Sequence, residues 1–183
     1  MTATHTGDSH GPTPSQTVGP FFRFGLEWLV PTELVDPDSP GAVAIGGQVL
    51  DGAGQPVPDA VVEIWQADPD GHYPPPDGTG EWRGWGRCLT DPDGAWQFTT
   101  VKPGRVEAGQ APHLGVTLFC RGILQRLVTR IYFPDETEAN AADPVLVAAG
   151  PRATTLVAAE AGAGRLHHDL VLQGTRETVF FVF

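Results

Sequence analysis

Six histidines, two cysteines and two tyrosines are the side chains of this chain best suited to holding a metal, and their spacing rules out most combinations. His5 and His10 lie in a polar N-terminal stretch and read as solvated. His167 and His168 are adjacent in a β-type run. Successive strand side chains point to opposite faces, so the two cannot easily share one metal and are expected to be structural. His113, in APHLGV at the entry to a strand, is the most informative of the six. Tyr132 sits in an alternating apolar run and reads as a packed aromatic. Tyr73 follows the turn DPDGH, where its ring could cap a strand end. Cys88 and Cys120 have no metal-ligand spacing and read as reduced, buried thiols. No GxSxG, phosphate-binding loop, dinucleotide-binding glycine pattern or HExxH is present, and no serine has an evident His/Asp partnership. On its chemistry alone the chain shows no active site of its own.

The elements that must position these residues are short and β-type. Val43 to Leu50, Ala60 to Gln66, Ala95 to Val101, Gly115 to Cys120 and Leu127 to Phe133 are candidate strands, separated by turn chemistry such as DGAGQPVPD and DPDG. Leu166 to Gln173 and Thr178 to Phe183 are expected to form a closing pair around QGTRE. The one plausible helical stretch is Glu136 to Ala142. Many short strands punctuated by 23 Gly and 18 Pro predict an all-β fold, a sandwich of mainly antiparallel strands with long connecting loops. The division expected is an N-terminal arm and connector over 1–42 and a sandwich domain over 43–183. Within the first part, Phe21, Phe22, Phe24, Leu26, Trp28 and Leu29 suggest that the arm docks on something, and Pro31 to Gly41 reads as an exposed connector.

A length of 183 residues suits one domain, and 40% hydrophobic residues suit a packed core. The net charge of −11 argues against nucleic-acid and membrane-surface partners. It would also repel an anionic small substrate unless a local cation offset the field. No apolar run reaches the roughly 18 residues of a membrane span, and the N-terminus lacks the basic and apolar regions of a secretory signal. The cytoplasm is the expected location.

The stretch from Ile45 to Tyr73, IGGQVLDGAGQPVPDAVVEIWQADPDGHY, resembles the signature of the intradiol ring-cleavage dioxygenases. The matching positions are Ile45, Gly47, Val49, Gly54, Val57, Val62, Glu63, Ile64, Gly71 and Tyr73. GRCLTDPDGAWQFTTVKPG (86–104), APH (111–113), TRIYF (129–133) and the C-terminal LQGTRETVFF are similar to the same family. The resemblance runs from Thr13 to Phe183. Much of the signature is structural, with Val49, Val57, Val62 and Ile64 as core positions and Trp65 as a large buried or interface ring, so it speaks for the fold more than for activity.

The resemblance implies cleavage of catechols between their hydroxyls at a non-haem ferric ion held by two tyrosines and two histidines. Hard Fe(III) prefers anionic oxygen, which suits tyrosinate. One tyrosine is expected after a KPG turn, the histidines as H-x-H in a strand, and the other tyrosine a little beyond the G-x-Y. Here Lys102-Pro103-Gly104 is followed by Arg105 and Val106, so Val106 stands at the tyrosine position. H-x-H is His113-Leu114-Gly115, so Gly115 replaces the second histidine. No tyrosine lies between Tyr73 and Trp82. The resemblance therefore implies that this chain holds no metal and that His113 is a relic.

Some members of the family are built from homologous α and β chains, of which only β carries Fe(III), and act on protocatechuate. The arm PSQTVGPFF (14–22) resembles the α-chain N-terminus, and LFCRG (118–122) looks like its LFARG. The expectation is a non-iron-binding α subunit whose partner is such a β subunit, with protocatechuate bound at a shared site. The positions that line that site from the α side match Gly19, Pro20 and Arg121 here. Arg121 would face the substrate carboxylate or make a salt bridge to the β subunit. Two other readings stay open: a stand-alone intradiol enzyme with atypical ligands, and a non-enzymatic β-sandwich binding module.

Overall fold

The computed structural model describes residues 13–182, and His5, His10 and Phe183 lie outside them. Nine strands run in chain order: β1 (Ala42–Leu50), β2 (Val61–Trp65), β3 (Trp85–Leu89), β4 (Ala95–Val101), β5 (His113–Phe119), β6 (Leu127–Tyr132), β7 (Ala159–Glu160), β8 (Arg165–His167) and β9 (Leu170–Val171). One sheet has the order β4-β1-β8-β7 with β9 also on β1, and the other the order β3-β2-β5-β6. Every pairing is antiparallel except those of β8 and β9 with β1. This is the expected all-β sandwich.

Alternation along the strands explains the two layers. Leu114, Val116 and Leu118 of β5 point inward with Val62, Ile64 and Ile131, and meet Ile45, Val49, Phe98 and Leu170 of the facing sheet. A second, smaller cluster joins Tyr132 to Ala111, Ala139, Leu146 and Leu156. Three turns repeat one device. Asp51, Asp68 and Asp91 each accept two backbone N–H groups through Oδ1, and a glycine three residues on takes positive φ. At Gly71 (φ 86°) a side chain would also run into the Arg105 carbonyl, so the turn and the loop after Gly104 are locked together.

β1, β2, β4 and β6 fall on the expected runs within a residue or so. β5 begins two residues earlier than expected, at His113, because its partner β6 continues to Tyr132 opposite it. The run from Leu166 to Gln173 is not one strand. It breaks at His168–Asp169, where the Asp169 carboxylate, rather than a strand carbonyl, accepts the Gln48 N–H (2.9 Å). The expected closing pair is corrected in the same region. Thr178 donates its N–H to Val171, but Phe181 donates to Val128 of β6, so the terminal segment crosses from one sheet to the other.

Glu136–Ala142 is helical as α2 (Thr137–Ala142), but it is not the only helix. α1 (Pro20–Phe24), α3 (Pro144–Ala149) and a 3₁₀ segment (Gly150–Leu156) also form. α3 is only six residues long and owes its start to Asp143, which accepts from Val145 and Leu146 N–H with Pro144 at the first position. The connector is less exposed than expected. The Pro31 carbonyl accepts from Arg87 in β3, Thr32 and Leu34 bond to Thr99 in β4, and Leu34 packs on the core. It therefore ties the edge of one sheet to the edge of the other.

Candidate functional site

His113, Gly115 and Tyr132 lie on the outer face of the four-stranded sheet, in rows fixed by register. Glu63 of β2 lies between Arg87 and Thr117, and Thr117 lies opposite Val128. The next row is Trp85, Trp65, Gly115 and Arg130, and the last pairs His113 with Tyr132. His113 and Gly115 share this face because they are two apart in β5.

The His113 end is buried and neutral in character. His113 is 8% exposed, its Nδ1 donates to the Ala111 carbonyl (2.8 Å), and its ring lies 5.5 Å from that of Tyr132. Burial, reinforced by the Arg130 charge, holds its pKa below the usual histidine value. The Tyr132 hydroxyl accepts from Arg130 Nη1 (3.3 Å) and donates to Asp143 Oδ1 (3.1 Å). Asp143 is fully buried and also accepts from the N–H groups of Ala111, Val145 and Leu146. Burial pushes the Tyr132 phenol up to about 12, so it is a neutral hydrogen-bonding group at physiological pH. Beside this network Trp65 and Tyr73 stack, ring centroids 5.8 Å apart and 9° from parallel. Tyr73 thus covers the end of β2, as expected, and Trp65 is 44% exposed, so of the two expectations for its ring, buried or interface, this chain does not bury it.

These residues do not fit a ferric ion. Val106, 36% exposed, and Gly115 offer no donor atom. The one histidine donates its Nδ1 hydrogen to a backbone carbonyl, and a permanent guanidinium lies in the row beside Gly115. A cation there opposes a second cation. Among the described residues no group of three His, Cys, Asp or Glu side chains is placed to hold a metal.

The opposite end of β5 gathers Gly19, Pro20 and Arg121. Phe22 of α1 packs on Phe119 (5.3 Å between ring centroids), Arg23 donates to the Pro58 carbonyl, and Gly122 N–H donates to Thr17 Oγ1 (2.9 Å). Pro20 begins α1, and the exposed Gly19 gives its carbonyl to Phe22 N–H (3.0 Å). Arg121 ion-pairs with Asp59 of its own chain, an arrangement that neither sequence expectation included, and its side chain is 59% exposed. Phe21 (84%), Phe24 (60%) and Trp28 (78%) project from the same arm into solvent. His113 and Phe119 are the ends of a seven-residue strand, so about 20 Å separates the two clusters at a rise of roughly 3.3 Å per residue.

Two members of this arrangement were missed in the sequence. Arg130 was read only as part of a packed strand, although its spacing of two from Tyr132 puts both on one face. Asp143 carried a visible signal, an Asp-Pro step before an apolar run, which is a helix start. His167 and His168 have structural places. His167 is exposed and paired with Asp169 (3.1 Å), while His168 is buried. Both thiols are free and buried, and burial raises the pKa of each.

The family profile described as Dioxygenase matches residues 29–174. The chain is 43% identical to the protocatechuate 3,4-dioxygenase alpha chain of Burkholderia cepacia, over 92% of this chain and 96% of that one. It is 37% identical to the beta chain of the same organism's protocatechuate 3,4-dioxygenase, over 51% of this chain and 45% of that one. Among solved structures it is similar to the dioxygenase domain of a dioxygenase–carbohydrate-binding protein fusion from Streptomyces sp. SirexAA-E. The TM-score is 0.62 and the identity 32%, covering 88% of this chain and 98% of that one.

Proposed function

The chain belongs to the dioxygenase family, and from that premise we propose that it is the iron-free α subunit of a protocatechuate 3,4-dioxygenase, completing the site of a β subunit that holds Fe(III). The bound iron supplies the ring-cleaving chemistry, and this chain supplies wall and assembly. The observation that carries the reading is the distance along β5. Gly19 and Arg121 are exposed and, with Pro20, lie about 20 Å along β5 from this chain's own His113 position, which supports a role at a site outside this chain. Residues 1–42 then act as arm and connector and 43–183 as the sandwich domain. Phe21, Phe24 and Trp28 are the rings the partner would cover, since large exposed aromatics mark interaction surfaces.

Arg121 contributes a cation in a chain of net charge −11, and its Asp59 partner leaves other guanidinium N–H groups free to meet a carboxylate. Among the described residues no helix is long and apolar enough to cross a membrane, and the cytoplasm is the proposed location. The test is co-expression with a β chain. The pair should co-purify, carry iron and cleave protocatechuate, whereas this chain expressed alone should carry none and be inactive. About one tightly held iron per chain in the isolated protein would overturn the assignment.

A further inference from the structure

The sandwich is left open at one end. Between the two sheets lies a cavity of about 800 Å³, within the range of small-molecule sites. Its floor is made by Val43, Val101, Phe133 and Leu166. Phe133 and Leu166 belong to the main core cluster, so the cavity opens directly onto the core. Val43 lies two residues before the buried Ile45 on β1 and faces the same way, yet it is only half-buried. These inward-facing side chains meet an opening instead of a facing layer.

The rim is acidic. Glu160 lies opposite Leu166 in the β7–β8 pair, so its side chain stands on the cavity's face of the sheet. Among the described residues it makes no ion pair and no side-chain hydrogen bond. Lys102, the lysine of the lining, is already held by two carboxylates, Asp135 at 2.7 Å and Glu136 at 2.8 Å. Arg165 also lines the cavity but, as the neighbour of Leu166, projects from the opposite face of β8. The cavity's face thus carries one ammonium against three carboxylates, in a chain of net charge −11.

We propose that this cavity is a binding site for a small organic cation with an apolar body, the body filling the opening over Val43 and Leu166 and the ammonium lying beside Glu160. Buried apolar area holds the body, and the unpaired carboxylate selects the charge. An anion of the same shape would meet the acidic rim. An inorganic cation would leave the apolar floor wet. The site lies between the sheets and needs no partner chain, so it stands or falls apart from the assembly proposed above.

The test is a fluorescence titration of the full chain with dansylcadaverine, an apolar ring system carrying a primary ammonium. N-butyldansylamide keeps the rings without the charge, and cadaverine keeps the charge without the rings. A saturable rise in dansyl emission is expected for dansylcadaverine, with the neutral amide binding several-fold more weakly and cadaverine competing poorly. Glu160→Gln should weaken dansylcadaverine about threefold and Glu160→Lys about tenfold, the scale of an exposed charge contact and of its reversal, and neither should alter the neutral amide. Val43→Phe should remove the binding of both probes, by filling the opening while every charge stays in place. Thermal melts establish that each variant is folded. Equal binding of the neutral amide, or unchanged binding of dansylcadaverine to Glu160→Lys, overturns the proposal. So does binding that survives Val43→Phe in folded protein, which would put the probe on the exposed rings of the arm, and so does the absence of saturable binding to the parent chain.

Discussion

The two ends of β5 use the same strand for opposite purposes. At His113 the polar groups are turned on one another. Arginine, tyrosine and a buried aspartate are linked by hydrogen bonds, the histidine bonds the Ala111 carbonyl, and the expected ligand positions carry valine and glycine. At Arg121 the groups face outward, and the arm beside them leaves three large rings in solvent. Valine and glycine at the expected ligand positions are compatible with an intact sheet, because inward-facing Leu114, Val116 and Leu118 carry the packing while the outward residues are free to change. A strand's two faces separate what holds the fold from what performs the chemistry.

That contrast predicts its largest effect at the arm. Phe21→Ala, Phe24→Ala and Trp28→Ala together should leave the isolated chain's stability almost unchanged, because the rings are exposed in it. They should remove most of the binding to a β subunit, about 6 kcal/mol if each ring is an interface hot spot of roughly 2 kcal/mol. Urea unfolding of the isolated chain reads the first quantity, and analytical ultracentrifugation of co-expressed chains reads the second. Intact assembly would mean that the arm is not the docking element.

The buried end should behave in the reverse way. Asp143→Ala leaves the Ala111, Val145 and Leu146 N–H groups and the Tyr132 hydroxyl without their acceptor. Breaking such a buried arrangement from one side costs about 4 kcal/mol, read as a lowered urea midpoint. Equal stability of variant and parent would show that the network is not the anchor of α3 and the 3₁₀ segment.

How much of this was legible in the sequence depends on where the physical signal lay. The strands flanked by Asp-containing turns were readable almost to the residue, since Asp51 and Asp91 announce the reversals that bound β1 and β4. β3 was not, because GWGRCL mixes glycine and arginine in a run whose stability comes from pairing with β2, a contact 24 residues away at Glu63 and Arg87. Val106 and Gly115 stand out as expected ligand positions only through the resemblance. Nothing in their own chemistry marks a place where something is missing. The Arg121–Asp59 pair could not be read either, since it depends on the β2–β5 register, which sets Val61 opposite Phe119 and so brings the residues two beyond each end together.

A third region, the junction of β8 and β9, separates acid sensitivity from both ends of β5. His168 is 5% exposed, its Nε2 has no partner, and burial lowers its pKa to about 4. An unfolded histidine titrates near 6.5. Below that pH the unfolded chain takes up a proton that the folded chain refuses. Stability is therefore full above about pH 6.5, falls as the pH drops, and levels off below about 4, a loss of about 3 kcal/mol from this residue. Chemical unfolding at steps between pH 7 and 4 should show that slope, and His168→Gln should flatten it. An unchanged slope in the variant would move the acid sensitivity elsewhere, His113 being the next buried histidine.

The smallest effect discriminates most finely, because it asks whether Arg121 faces a substrate or only holds the edge together. Asp59 already satisfies part of the guanidinium, and the pair is exposed enough that its own contribution to stability is slight, about 1 kcal/mol or less. Arg121→Ala should therefore barely change the melting of the isolated chain. In the assembled enzyme the outcome depends on the substrate. Protocatechuate carries a carboxylate and catechol does not, while both present the same two hydroxyls. If the arginine meets the carboxylate directly or through water, kcat/KM for protocatechuate should fall by an equivalent of about 1–3 kcal/mol, the range for a charged hydrogen bond, with little change for catechol. Asp59→Ala then serves as the internal comparison. It frees the guanidinium without removing it, so it should leave the preference for the carboxylated substrate standing. Equal losses on both substrates in Arg121→Ala, matched by Asp59→Ala and accompanied by weaker assembly, would make the Arg121–Asp59 pair a structural clasp for the arm.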